Sequence, residues 1–274
     1  MPPAERALPL RRAVALGLLQ GPTELLPVSS SGHTTLLPWL AGWEYAELDG
    51  ELRKSFELSL HAGATLALLA ADRGRLLRRV LAGGPRAICA LALSLAPAAL
   101  AGLVLRGPIE RRLGGPGSIA LGLAGGGLAM AAADRSAGER RCADARPGDG
   151  LALGVAQALA LMPGVSRSGA TLTAARARGF GREASHSLSW AAALPVLAGA
   201  SAIELARLAR SGAPGGSGAA LAAGAGAAFA STLAGGRLLG GGCVARGPLA
   251  PYSAYRLVLS GLAWRRLRES RGPR

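Results

Sequence analysis

Long charge-free stretches alternate along this chain with short arginine-rich ones. "AICALALSLAPAALAGLVL" (87–105) runs 19 residues and "GSIALGLAGGGLAMAAA" (117–133) runs 17 without a charged side chain. A bilayer core takes about 20 apolar residues per helix, with a range of roughly 17–25, so both predict transmembrane helices. Apolar segments at 56–72, 187–206, 216–236 and 252–267 predict further crossings. Two other segments are of a different kind. "ALGLLQGPTELLPVSSSGHT" (15–34) and "ALGVAQALALMPGVSRSGAT" (152–171) carry polar groups inside apolar sequence, break at Pro27 and Gly164, and run on into serine and glycine. A short helix, a loop and a second helix of this kind predict a re-entrant hairpin, because irregular backbone at membrane depth is tolerated only where protein buries it or it lines a cavity.

The two hairpin segments align without gaps at an offset of 137, with nine of twenty positions identical. A bias toward Ala, Leu and Gly does not produce the shared Gln20/Gln157 or the shared S-x-S-G (Ser29, Ser31, Gly32 against Ser166, Ser168, Gly169). The chain therefore reads as two copies of one unit, about 8–135 and about 149–270, within a single polytopic membrane domain over 1–274. Each hairpin enters and leaves on one side and is followed by about three crossings, an odd number, which inverts the second copy. The expected fold is an all-α integral membrane protein of two inverted-topology repeats, each a re-entrant helix–loop–helix plus about three transmembrane helices. Such repeats place their site near the membrane interior, at the repeat interface.

Charge sharpens this picture. The net charge is +15, and Lys54 is the only lysine; every other basic side chain is arginine. Nucleic-acid binding would interleave arginine with aromatics on an exposed face. Here aromatics are 4%, and the arginines cluster at 73–86, 106–112, 135–146, 176–182 and 265–274, between the apolar runs. A bilayer, not nucleic acid, is the partner this implies. Arginine-bearing loops would fall on both sides, so they fix no orientation. Arg6, Arg11 and Arg12 precede an apolar run as in a signal peptide, but Gln20, Glu24 and the serines interrupt it, so the segment is expected to be retained. Cys89, Cys142 and Cys243 stand far apart, in no metal spacing, and are expected as small apolar fillers. Glu204 and Arg207, near a span end, are expected at the interface.

The polar groups of the first hairpin carry the chemistry. Gln20 and Glu24 are four apart and share a helix face, and an acid at membrane depth is by default a functional group. Ser29, Ser30, Ser31, Gly32 and His33 add hydroxyls, backbone N–H groups and an imidazole. That set suits an anion cradle, although Ser-Gly runs also serve as plain turns. The second copy shifts the balance, because Arg167 stands where the first has Ser30, and Ala170 where it has His33. If the loops meet, a hydroxyl, imidazole and carboxylate face a guanidinium, the group best fitted to bidentate phosphate recognition. A phosphoryl site is the reading. Glu57 and His61, also four apart, could pair with each other or line the pocket, and a structural pair is the expectation.

"QGPTELLPVSSSGH" (20–33) together with "PGVSRSG" (163–169) resembles the paired signature motifs of the BacA/UppP family, the bacterial undecaprenyl-diphosphate phosphatases. "SFELSLHAGATLALL" (55–69) resembles the family segment after the first motif, with His61 where glutamine is expected. The resemblance covers most of the chain. It implies hydrolysis of the lipid carrier diphosphate to the monophosphate and inorganic phosphate, recycling the carrier for peptidoglycan synthesis and conferring bacitracin resistance. It also implies a divalent cation, Mg2+ or Ca2+, and a polyprenyl diphosphate substrate in the bacterial inner membrane, with the site toward the outer, periplasmic side. A homo-oligomer is left open. Carried over by position, Glu24 and Gln20 would bind the cation and diphosphate. Ser30 would be the nucleophile or would orient water, His33 would be the general acid/base, and Arg167 would clamp phosphate. Ser29, Ser31, Gly32, Ser166, Ser168 and Gly169 would be further substrate-binding donors. Gln20 takes the neutral option of the first motif, which leaves one fewer negative ligand for the cation.

Two other readings compete. A PAP2-type lipid phosphatase would need a histidine where Thr173 stands. A secondary transporter or lipid flippase would suit inverted repeats equally well, but the Glu24, Ser30, His33 and Arg167 set favours hydrolysis. A soluble P-loop or metalloenzyme reading fails for want of G-x4-G-K or a His/Cys ligand spacing.

Overall fold

The structure is a computed structural model, and it describes residues 8–43, 45, 48–238 and 245–270. Arg6 and Cys243 lie outside the described residues, as does the side chain of Glu204. The protein is an all-α integral membrane protein. Its helices are α1 (Leu10–Leu25), α2 (Ser30–Leu40), α3 (Gly50–Asp72), α4 (Arg75–Ala82), α5 (Gly84–Leu113), α6 (Pro116–Asp134), α7 (Pro147–Leu159), α8 (Arg167–Ala177), α9 (Arg182–Ser211), α10 (Gly218–Leu238) and α11 (Ala250–Glu269).

Among the described residues, four segments are long and apolar enough to cross a membrane: Gly84–Leu105 in α5, then α6, α9 and α10. These match four of the six predicted crossings. The other two, 56–72 and 252–267, are helical but more polar than their apolar stretches suggest. α3 opens on Glu51, Arg53, Lys54 and Glu57, and α11 closes on Arg265, Arg266, Arg268 and Glu269.

The internal repeat reappears in the element boundaries. α2 and α8 are each 11 residues long and start 137 positions apart, as do the first residues of α1 and α7. The two compact units of the molecule do not follow the repeats; each draws helices from both halves of the chain.

The first unit holds residues 1–25, 33–73 and 197–238. α1, α3 and α10 pack together in it, around Leu16, Phe56, Leu60, Leu221 and Ala228. Small residues set the spacing. A Cβ on Gly17 would overlap the Gly224 carbonyl, and one on Gly63 the Ala225 carbonyl. Backbone approach of this kind is how helices gain van der Waals contact in lipid, where apolar side chains have no water to escape. Ser231 Oγ donates to the Gly17 carbonyl at 3.0 Å across α1 and α10.

The second unit holds residues 26–32, 74–196 and 239–274. α5 packs on α7, α6 on α11 and α8, and α7 on α8. Gly150 and Gly154 let α7 lie against the Ala90 and Leu93 carbonyls of α5. Cys89 and Cys142 are exposed, so neither is the packed filler expected. A cysteine is small enough that nothing in the sequence separates an inward from an outward position.

A carboxylate in this unit ties three chain segments together. Buried Asp149 accepts from Arg140 Nη2 at 2.7 Å, from Arg178 Nε at 2.7 Å and from the Arg146 backbone N–H at 2.9 Å. Burial pushes its carboxyl up, but those hydrogen bonds and the Arg140 charge outweigh it and hold the pKa at about 2. The unfolded carboxyl titrates near an ordinary value of about 3.9. The stabilisation is therefore complete above roughly pH 5 and is lost as pH falls toward 2. Thermal melts in detergent should show wild type above Asp149→Asn at pH 6, with the gap closing by about pH 2; a gap independent of pH would refute this.

Candidate active site

α1 ends at Leu25 and α7 at Leu159, and each is followed by an irregular loop that leads into an 11-residue helix. Pro27 follows the end of α1 by two residues, as expected, whereas α7 stops at Leu159, five residues before the break expected at Gly164. Gly164 has φ +91, and a Cβ there would overlap the Ile119 carbonyl, so only glycine fits.

The serine that starts each second helix has an unusual backbone. Ser29 sits at φ 76 and Ser166 at φ 68, in a region where non-glycine residues are uncommon. Ser29 Oγ accepts from Gly32 N at 3.3 Å, and Ser166 Oγ accepts from Gly169 N at 3.2 Å. The S-x-S-G repeat is thus one piece of geometry used twice: a strained serine caps the helix three residues ahead, where glycine keeps the approach open. Strain of order 1–3 kcal/mol at each serine persists only because the surrounding structure fixes it.

The loops meet within the second unit. Ser168 Oγ lies 3.3 Å from Ser166 Oγ and donates to the Leu26 carbonyl at 3.4 Å. Ser29, Gly32, Ser166 and Gly169 are buried, Ser30, Arg167 and Ser168 half-buried, and Ser31 exposed. Of the predicted phosphate-binding groups, Ser29, Ser30, Ser31, Gly32, Ser166, Arg167, Ser168 and Gly169 all belong to this unit.

Gln20, Glu24 and His33 belong to the first unit, and all three are buried. Gln20 and Glu24 share a face of α1 as expected: Gln20 Nε2 donates to Glu24 Oε2 at 3.1 Å. The same amide nitrogen lies 3.1 Å from His61 Nδ1, which is itself 3.3 Å from Glu24 Oε2. A proton on Nδ1 is donated to the carboxylate; without it, Nδ1 accepts from the amide. This corrects the expected partnership of His61. His61 turns to Gln20 and Glu24, while Glu57 accepts from the Tyr45 hydroxyl at 3.4 Å. Spacing along α3 gave no sign of this, because the partners of His61 lie on α1.

The donor set here fits a hard divalent cation that keeps most of its water. Gln20 Oε1 is fully buried and has no hydrogen-bond partner among the described residues, next to the Glu24 carboxylate. Gln157, the repeat counterpart, also leaves its Oε1 without a partner, but Leu161 stands where the first copy has Glu24. The orphaned amide oxygen is therefore common to both copies, and the carboxylate distinguishes the first. Mg2+ is commonly held by one or two carboxylates plus substrate phosphate, and one carboxylate with one amide oxygen meets that pattern. Among the described residues no group of three or more His, Cys, Asp and Glu forms an all-protein cage.

One residue of the loop assembly was missed in the sequence. Arg256 of α11 is fully buried and donates to carbonyls of both loops. Its signal was there: it is the only charge inside the apolar stretch 252–264, apart from the arginine clusters.

Residues 13–262 match the model of a family described as bacitracin resistance protein BacA. A Geobacter sulfurreducens protein named undecaprenyl-diphosphatase is 38% identical over 265 residues, 92% of this chain and 96% of that protein. One of the same name from Pelobacter propionicus is 36% identical over 267 residues, 92% of this chain and 95% of that one. One from Anaeromyxobacter dehalogenans is 41% identical over 209 residues, 70% of this chain and 69% of that one.

Proposed function

This chain belongs to the family of bacitracin resistance protein BacA, and from that we propose that it hydrolyses undecaprenyl diphosphate to undecaprenyl phosphate and inorganic phosphate. It is a multi-pass membrane enzyme, a hydrolase of a phosphoric anhydride, and its relatives favour that reading over a transporter or flippase. The observation that carries the reading is the junction of the two S-x-S-G loops, which sets two capped helix starts and Arg167 in one compact unit.

The chemistry asks for little covalent novelty. The bond between the terminal phosphorus and the bridging oxygen breaks, a water-derived oxygen joins phosphorus, and the lipid monophosphate leaves. Phosphoryl transfer is accelerated mainly by positioning and charge neutralisation. Arg167 is assigned to clamp the terminal phosphate in bidentate fashion. Ser29, Ser31, Gly32, Ser166, Ser168 and Gly169 are assigned as further donors, through hydroxyls or backbone N–H groups. Ser30 is the candidate nucleophile or the group that orients water, and His33 is the general acid/base. Gln20 and Glu24 are assigned to hold Mg2+ or Ca2+, which when bound would neutralise diphosphate charge. The enzyme is assigned to the bacterial inner membrane with its site toward the periplasmic side.

Protein purified in detergent should release phosphate from a long-chain isoprenyl diphosphate, and a chelator should abolish the release, with Mg2+ or Ca2+ restoring it. Absence of release would overturn the hydrolase assignment. Release indifferent to chelator would overturn the cation assignment alone.

A further inference from the structure

Arg256 lies on α11, 87 positions beyond the second loop and outside every segment assigned to the reaction. It is the largest fully buried side chain among the described residues. A buried guanidinium is costly unless its charge and its N–H groups are met. Among the described residues no carboxylate meets this one. Its partners are backbone carbonyls. Nη2 donates to Val165 O at 2.7 Å, to Gly164 O at 3.1 Å and to Gly122 O at 3.2 Å. Nη1 reaches Pro27 O at 3.5 Å. Nε is buried without a partner among the described residues.

Those carbonyls come from three places: Pro27 from the first loop, Gly164 and Val165 from the second, and Gly122 from α6. Pro27 stands two residues before the strained Ser29, and Val165 directly precedes the strained Ser166. The sequence around the guanidinium is shaped to admit it. A Cβ on Gly126 of α6 would overlap Nη2 of Arg256, and a Cβ on Gly169 would come within 2.6 Å of Nη1. Gly169 is itself the residue whose N–H is capped by Ser166.

We propose that Arg256 is a positioning residue for the phosphate site: its guanidinium, seated over Gly126, holds the carbonyls of both serine loops and so fixes the backbone of Ser29 and Ser166 for phosphoryl transfer. The carbonyls face the guanidinium, and this holds each loop in the strained form that presents the caps of α2 and α8. The positive charge, met by no carboxylate among the described residues, also stands beside loops assigned to bind a diphosphate and adds to their attraction for it. Lysine cannot replace it, because one ammonium lacks the planar fork that spans three chain segments.

This rests on the hydrolase reading, and the wild-type rate separates the two. If wild-type protein releases no phosphate, that reading fails. If wild type is active, the variants decide the present inference. Arg256→Lys and Gly126→Ala are each expected to lower kcat about thirtyfold, about 2 kcal/mol of barrier, with KM for the isoprenyl diphosphate changed less than about threefold. Gly126→Ala leaves Arg256 in place but displaces its guanidinium, so it carries the test where Arg256→Lys does not fold. Thermal melts of each variant in detergent establish that folded protein is being assayed. In the double variant the two losses should not multiply, since both remove one arrangement. Folded Gly126→Ala with near wild-type kcat, or losses that multiply as independent ones do, would overturn the proposal.

Discussion

Glu24→Gln should lower the rate of phosphate release by roughly a thousandfold, about 4 kcal/mol of barrier, without unfolding the protein. The substitution keeps the volume of a side chain that is 5% exposed and removes only its charge. Glutamine can still meet Gln20 Nε2 and His61 Nδ1, which lie 3.1 and 3.3 Å from the present carboxylate oxygen. The loss then falls on the one thing an amide cannot supply, a negative ligand beside the orphaned Gln20 oxygen. With Gln20 already neutral, no second carboxylate of the motif stands in reserve. A cation titration gives the cause: the variant should need at least tenfold more Mg2+ to reach half its maximal rate, a shift of about 1.4 kcal/mol or more. A rate within about threefold of wild type would remove Glu24 from the site. A large loss with an unchanged Mg2+ midpoint would move Glu24 from cation binding to substrate contact.

How far such roles could be read in the sequence depended on whether partners lay within one segment. Gln20 and Glu24 were legible because four residues make one helix face, and the structure joins them at 3.1 Å. The twofold S-x-S-G was legible because an internal repeat is its own control. It reappears as Ser29 and Ser166, with matching positive φ and matching caps. His61 was misassigned and Arg256 missed for the opposite reason. Their partners come from other helices or from loops more than 90 residues away, and no periodicity along one element encodes them. The same limit explains Asp149, whose arginines at 140 and 178 lie on either side of α7 in the chain. Apolar run length also weighs α3 and α11 by their greasy middles and takes no account of the charges at their ends, so among the described residues they stand apart from the four helices that are apolar throughout.

The loop that carries Arg167 then frames the sharpest separation of charge from shape. Arg167 opens α8 directly after the strained cap Ser166, in the compact unit that also holds Ser29, Ser30, Ser31 and Gly32. A guanidinium offers two parallel N–H groups to a phosphate, and an ammonium offers a point charge. Arg167→Ala removes both and should lower kcat about 10^4-fold, within the range found for arginines that stabilise a phosphoryl-transfer transition state. Arg167→Lys restores the charge without the fork and should recover only part of this, leaving a loss of about a hundredfold, about 2.7 kcal/mol. Inhibition by inorganic phosphate reports ground-state binding of the product and should weaken far less than kcat in the lysine variant, because a point charge attracts a phosphate nearly as well but cannot orient it. Equal losses in the two variants would show that the fork is everything and charge nothing. A lysine variant within about threefold of wild type would show the reverse, and the bidentate assignment would fall. Nearly normal turnover in Arg167→Ala would take Arg167 out of the reaction and leave the serine loops and Glu24 to account for it alone.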